Sequence, residues 1–206
     1  DKALNAFDSS YQLYELTGDE FMMAYNNNEI GKVYYNLSRY AQSKAMHLNA
    51  YETMMRLEKW DNAGYSKSML GSNLEMENKI DSSIAAHTES IVLRRKADNK
   101  EGQAFSWKTL GKLYERTGQK IQSLEAYDSA AFFYAAISDS AEQAQNLLNI
   151  GKVHENDKDF RKAQLYYEKA AVVLQRLQSR TGYIDALIKL GSVTWNIDMD
   201  ASQQYY

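Results

Sequence analysis

Three histidines, His47, His87 and His154, are the side chains whose ordinary pKa suits proton transfer near neutral pH, and imidazole also ligates metals. A zinc-type centre needs such donors at i, i+4 spacing or converging from several helices. No His-Glu-x-x-His occurs, and the absence of Cys removes thiolate chemistry, Cys-based zinc and disulfides. The acidic pairs Asp157/Asp159 and Asp198/Asp200 lack the central Gly and terminal Glu of a calcium loop, and read as caps at helix junctions. Gly-Lys at 31–32, 111–112 and 151–152 lacks the upstream Gly and the following Ser/Thr of a phosphate loop. No Gly-x-Ser-x-Gly nucleophile elbow is present, and carboxylate pairs are spread as on any helical surface. Asn36-Leu37-Ser38 is a glycosylation sequon that falls on a helix and reads as chance. The expectation is a chain with no catalytic residues, no metal and no cofactor.

The elements that carry these residues follow from composition and period. The chain has 206 residues, 44% apolar and 25% charged, with a formal net charge of −3 and no Pro. That is an ordinary globular balance. It offers no polybasic surface for nucleic acid, no 18-residue apolar run for a membrane and no signal peptide over 1–20. A cytoplasmic location is expected. Missing prolines argue against a loop-rich β protein.

The organising feature is an internal repeat of 40 residues. Ile30, Leu70, Leu110, Ile150 and Leu190 share a column, each followed by glycine: Gly31, Gly71, Gly111, Gly151 and Gly191. A second column runs Phe7, His47, His87, Tyr127, Tyr167, and three residues later Ser10, Ala50, Ser90, Ala130, Ala170 are all small. His154 falls on the column of Tyr34 and Tyr114, so all three histidines occupy aromatic positions and read as packed rings. Each unit reads as two helices. Ala104, Trp107, Leu110, Gly111 and Tyr114 keep helical spacing, Gly118 ends that helix, and Leu124, Tyr127, Ala130, Ala131, Tyr134 and Ile137 form the next. Asp139 and Ser140 read as the following N-cap. No strand pattern is found. Gly within a helix costs roughly 0.5–1 kcal/mol against Ala. The glycine column therefore predicts close helix approach, with the small column as the facing surface.

Trp107-x-x-Leu110-Gly111-x-x-Tyr114, followed by Gly118, Tyr127 and Ala130, resembles the tetratricopeptide (TPR) pattern, with Ser123 where Ala is expected. The fourth unit keeps Leu147, Ile150, Gly151, Phe160, Ala163, Tyr167 and Ala170, with His154 for Tyr. The units are longer than the usual 34 residues, and resemble the long subclass of kinesin light chains, Pins-type adaptors and bacterial TPR sensors. A HEAT or armadillo array matches the Leu-Gly-x-x-Tyr run less well, and a pentatricopeptide RNA reader would have shorter units, of about 35 residues, and a more basic chain. The resemblance implies an all-α, right-handed superhelical solenoid. It would be a single array over 1–206: a second helix at 1–20, full units 21–60, 61–100, 101–140 and 141–180, and a partial unit 181–206. Asp1 would open a second helix, and Ala201 to Tyr206 would break off inside another. Neither end shows a polar capping helix, so a segment of a longer array, with self-association through exposed ends, is expected.

In this family the face of the first helix opposite its core lines a concave groove. Here that strip reads Tyr25, Asn28, Lys32, Asn36; Tyr65, Ser68, Ser72, Met76; Phe105, Lys108, Lys112, Arg116; Gln145, Leu148, Lys152, Asn156; and Asp185, Ile188, Ser192, Asn196 with Trp195 beside them. Two features stand out, an aromatic row (Tyr25, Tyr65, Phe105) and a cationic set (Lys32, Lys108, Lys112, Arg116, Lys152). Together they suit a protein or peptide segment with acidic and apolar side chains. The plainer reading is solvated lysines with aromatics packed on their stems. The resemblance stops short of the chaperone-tail clamp, which uses Asn at the position of Lys112. The functional expectation is a protein- or peptide-binding scaffold. The alternative is a regulatory sensor segment coupled to an attached kinase or transcription regulator.

Overall fold

The computed structural model describes residues 2–203, the side chains of 3 and 200–203 aside. Asp1 and residues 204–206, on which two of the end expectations fall, lie outside. The described residues form ten helices: α1 (Lys2–Thr17), α2 (Glu20–Asn36), α3 (Tyr40–Arg56), α4 (Trp60–Met76), α5 (Ile80–Lys96), α6 (Lys100–Arg116), α7 (Lys120–Ala136), α8 (Ser140–Asn156), α9 (Phe160–Arg176) and α10 (Arg180–Gln203). No strand occurs among them, and the hairpins repeat with the 40-residue period of the sequence. The chain divides into two compact units, one ending at Ser106 and the other starting at Trp107, within α6.

Helix boundaries recur every 20 residues because each junction uses the same turn. Residues 18, 38, 58, 78, 98, 118, 138, 158 and 178 all have φ between +52° and +72°. At each, the next residue's N–H returns to a carbonyl five back, as Asp19 N to Tyr14 O (3.1 Å) and Asp159 N to His154 O (2.9 Å). This is a Schellman closure. Only Gly18 and Gly118 fill it without strain, and Ser38, Glu58, Asn78, Asp98, Ser138, Lys158 and Gln178 fill the rest. Asp19, Asp139 and Asp159 cap the following helices by accepting from Met22, Glu142 and Lys162 N–H. Asp139 and Asp159 thus act as expected. Asp198 does not, because α10 continues through it. Asp98 sits at the same place in the repeat and does take the left-handed turn, so the residue type alone does not set the junction.

In the first unit, Ala24, Ala50, Met54, Ala63 and Leu93 form a buried cluster ringed by Phe21, Tyr51, Met55 and Trp60. In the second, Ala144, Leu148, Ala163, Tyr167, Ala170, Ala171, Leu174, Ala186 and Val193 form another, with Tyr127, Ile150 and Val153 beside α7 and α8. Apolar side chains are left exposed on α1 (Leu13, Leu16) and α10 (Ile184, Ile188, Trp195).

The glycine column does not face the small column. It faces the aromatic one. A Cβ built at Gly31 or Gly71 would lie 2.7 or 2.8 Å from the His47 or His87 ring, and at Gly111 it would lie 2.5 Å from Tyr127 Cδ1. At Gly151 it would strike the Tyr167 ring. The missing side chain makes a seat on the first helix for a ring of the second. The bare Gly carbonyl beside that seat accepts from Ser83 Oγ (to Gly71 O, 2.8 Å) and Ser123 Oγ (to Gly111 O, 2.9 Å). Tyr127 and Tyr167 hydroxyls then donate to Glu115 (3.0 Å) and Glu155 (2.6 Å) of the facing helix. The small column packs elsewhere: Ser90 Oγ donates to Gly64 O (2.7 Å) and meets Ser106 Oγ (3.1 Å).

The histidines are packed rings, as expected. His47 Nδ1–H donates to Asn28 Oδ1 (2.9 Å), which also accepts from Ser66 Oγ (2.9 Å). Burial lowers the pKa of both His47 and His87 to about 4, with Arg94 adding to the effect at His87. His154 stacks on Tyr166 (centroids 5.7 Å apart), and burial lowers it too.

Two outcomes follow. Gly111→Ala should destabilise by about 1–3 kcal/mol through overpacking against Tyr127. Gly191→Ala, where an added Cβ meets nothing within 4 Å, should stabilise by about 0.5–1 kcal/mol through helix propensity. Urea unfolding of both variants reads the two signs. His47 and His87 stay neutral in the fold but take up protons when unfolded. Their contribution to stability is therefore complete above about pH 6.5 and declines as pH falls toward 4, by up to about 3 kcal/mol each. His87→Tyr, which restores the residue of positions 127 and 167, should remove one histidine's share of that slope. Urea midpoints at pH 7 and pH 5 measure it, and an unchanged slope would refute the assignment.

Candidate functional site

In the first unit, the outward strip of the first helices closes into a pocket of about 530 Å³. Tyr25, Asn28, Glu29 and Lys32 come from α2; Asp61, Asn62, Tyr65, Ser68 and Met69 from α4; Glu101, Gly102 and Phe105 from α6; with Asn99 from the preceding turn and Arg94 from α5. Helical spacing brings Tyr25, Asn28 and Lys32 to one face of α2, and the 40-residue period repeats the aromatic at 65 and 105. Six residues of the expected strip thus meet: Tyr25, Asn28, Lys32, Tyr65, Ser68 and Phe105. Asn36 is exposed near the end of α2 and is not among the lining residues.

Packing beneath the pocket fixes its polar groups. Asn28 is buried, and its Oδ1 is committed to His47 and Ser66, which leaves its Nδ2 donors uncommitted. Tyr65 stands edge-on to His47 (6.3 Å), and Phe105 is tilted against His87 (6.4 Å). Burial raises the Tyr65 pKa, so the phenol stays protonated. Asn99 Nδ2 donates to Asp61 Oδ1 (2.6 Å), and Asn99 Oδ1 caps Gly102 N–H (2.7 Å).

Arg94 lies outside the expected strip. It is buried, with 6% of its surface exposed, and its Nε has no hydrogen-bond partner. Its guanidinium lies 6.0 Å from the Tyr65 ring centroid. Burial lowers its pKa, opposed by Asp61, Tyr65 and Glu101. A signal for it does exist in the sequence. Position 94 shares a column with Met54, Tyr134 and Leu174, all buried, so a charge there breaks the pattern. Gly64 and Gly102 also stand off the main glycine column.

The second unit does not hold a row of free cations. Lys108 pairs with Glu142 (2.9 Å) and lies over Tyr134, and Lys152 pairs with Glu115 (2.8 Å). Glu142 and Glu115 lie one repeat from the lysines they neutralise. Lys112 is exposed, Arg116 is exposed and engaged in further contacts, and Asn156 lines a smaller hollow of about 190 Å³ with Lys120 and Asp157. Among the described residues no three His, Cys, Asp or Glu are grouped to hold a metal. No described helix is long and apolar enough to cross a membrane.

No protein-family model matches the chain, and no curated protein matches it in sequence. Solved structures do match. BtubC of P. vanneervenii is 14% identical with a TM-score of 0.79, over 93% of this chain and 80% of that one. Aspartyl phosphate phosphatase F of Bacillus subtilis is 14% identical with a TM-score of 0.80, over 98% and 53%. A signal transduction ATPase with a tetratricopeptide repeat sensor, from Pyrococcus horikoshii, is 14% identical with a TM-score of 0.71, over 91% and 31%. At such identities the likeness is one of fold, and the fold is the all-α tetratricopeptide-like repeat.

Proposed function

We propose that the chain is a protein- or peptide-binding module whose first unit presents a preformed groove to an extended segment of a partner. The observation that carries this reading is the convergence of Tyr25, Tyr65 and Phe105 with Asn28 and Asn62 on one open pocket. A peptide in a groove must pair its own backbone N–H and C=O groups as it loses water. Asn side chains offer both a donor and an acceptor, and the aromatic steps offer flat apolar area at low entropic cost. The scaffold beneath is tightly packed, so the partner bears most of the ordering entropy. The Pyrococcus neighbour uses its repeats as a sensor, which is in keeping with a recognition role.

Random dodecapeptides selected on the wild-type chain test the reading. Tyr25 and Phe105 are 44% and 37% exposed, so the double variant Tyr25→Ala/Phe105→Ala gives up part of its buried ring area and should melt lower, but should keep the wild-type helical circular dichroism at 25 °C. It should bind the selected peptides about tenfold or more weakly. Equal binding by the variant, or no selectable peptide, would defeat the proposal.

A further inference from the structure

We infer that Arg94 forms the floor of the first unit's pocket as an anchor for one carboxylate of the bound segment, a C-terminal carboxylate or an acidic side chain. This rests on the peptide-binding reading and adds the ligand group that the pocket selects. Four observations carry it. Arg94 puts a charge where the same column holds the uncharged Met54, Tyr134 and Leu174. It is nine-tenths buried, yet among the described residues no carboxylate comes within 4.0 Å of it to form an ion pair, and its Nε has no acceptor. Its neighbour Asp61 already accepts from Asn99. Room for the side chain is left by two glycines: a Cβ at Gly64 would lie 2.6 Å from Arg94 Cγ, and one at Gly102 would collide with Nη1. The side chain lines the pocket, so an acceptor arriving from outside can reach it.

The surrounding charges narrow the ligand. Lys32 and Arg94 are the cations of the lining, and Glu29, Asp61 and Glu101 are the anions. A dianion would meet three carboxylates, so phosphate is disfavoured. A single carboxylate on a neutral or cationic segment satisfies the guanidinium fork, and leaves Glu29 and Glu101 available to a ligand N–H or cation. This narrows the acidic partner expected from the sequence to one acidic group.

The test titrates four probes into the ¹⁵N-labelled chain: a tetrapeptide library with free C-termini, the same library amidated, the amidated library with one fixed Glu, and inorganic phosphate. The Arg94 Nε–H resonance should shift with the free-acid library, the Glu library or both. Whichever of these shifts it identifies the source of the carboxylate, while the plain amide and phosphate should leave it in place. Arg94→Met restores the residue of position 54 and should unfold no earlier in urea than the wild type. It should also weaken the carboxylate probes about 10- to 100-fold and bring them level with the amide. Gly102→Ala keeps the charge but displaces the guanidinium, and should weaken the same probes. Binding of acid and amide libraries with equal affinity would overturn the anchor while leaving the groove reading intact. Binding of no peptide would overturn both. Loss of fold in Arg94→Met together with wild-type binding by Gly102→Ala would make Arg94 a structural residue and overturn the anchor.

Discussion

Each hairpin is closed by a ring of its second helix lying on a glycine of its first. Helix propensity alone would exclude Gly from the middle of a helix, by roughly 0.5–1 kcal/mol each time. Burying a large side chain is worth about 1.5–3 kcal/mol, and the seat makes that burial available. Where the contact is complete, two hydrogen bonds flank it. In the hairpin of α6 and α7, Tyr127 covers Gly111, Ser123 bonds the glycine carbonyl, and the Tyr127 hydroxyl reaches Glu115. In that of α8 and α9, Tyr167, Gly151 and Glu155 repeat the arrangement, and Ala163 stands where the serine would be. Gly191 is the converse case: among the described residues no ring lies over it, and it is exposed.

The first unit uses the same contact with imidazole in place of phenol, and this substitution builds the pocket. A histidine ring is smaller than tyrosine and has no hydroxyl to send to the next turn. The neighbourhood becomes polar in response: Asn28 and Ser66 gather around His47, and Ser90, Ser106 and the Gly64 carbonyl form a second group. The rings on the glycine seats then support the pocket's rim, since Tyr65 rests against His47 and Phe105 against His87. The packing that closes the hairpins and the aromatic face that would meet a ligand are two sides of one layer. Their shared dependence on neutral imidazole follows from burial.

The period, the helix pairs and the aromatic row are legible in the sequence, because a repeat displays each buried position several times over. The partner of the glycine column is not. Both the ring column and the small column lie on the second helix, three residues apart, and spacing alone does not say which one meets the glycine. The junctions are half legible. Gly18 and Gly118 mark the left-handed position, but Glu58, Lys158 and Gln178 occupy it with no composition signal, held there by the pairing of the helices on either side. The cationic set misleads for a related reason. A lysine on an outward strip looks free until the next hairpin is placed, and placement puts Glu142 against Lys108 and Glu115 against Lys152.

Arg94 shows how a repeat makes an exception visible. A buried guanidinium without an acceptor is a cost to the fold, since the desolvation of a charge is recovered only through good pairing. Met, Tyr or Leu at the same column bury apolar surface with no such cost. Gly64 stands where the same column holds Ala24, Ala104 and Ala144, and its missing Cβ leaves room for Arg94; Gly102 faces Arg94 as Gly182 faces Leu174. Two departures from the pattern, Arg94 and Gly64, therefore meet at one place, and neither improves packing. Nearby carboxylates are spaced to moderate the charge without pairing with it. A fold selected for stability alone would have no use for that arrangement, whereas a site awaiting an external acceptor requires it.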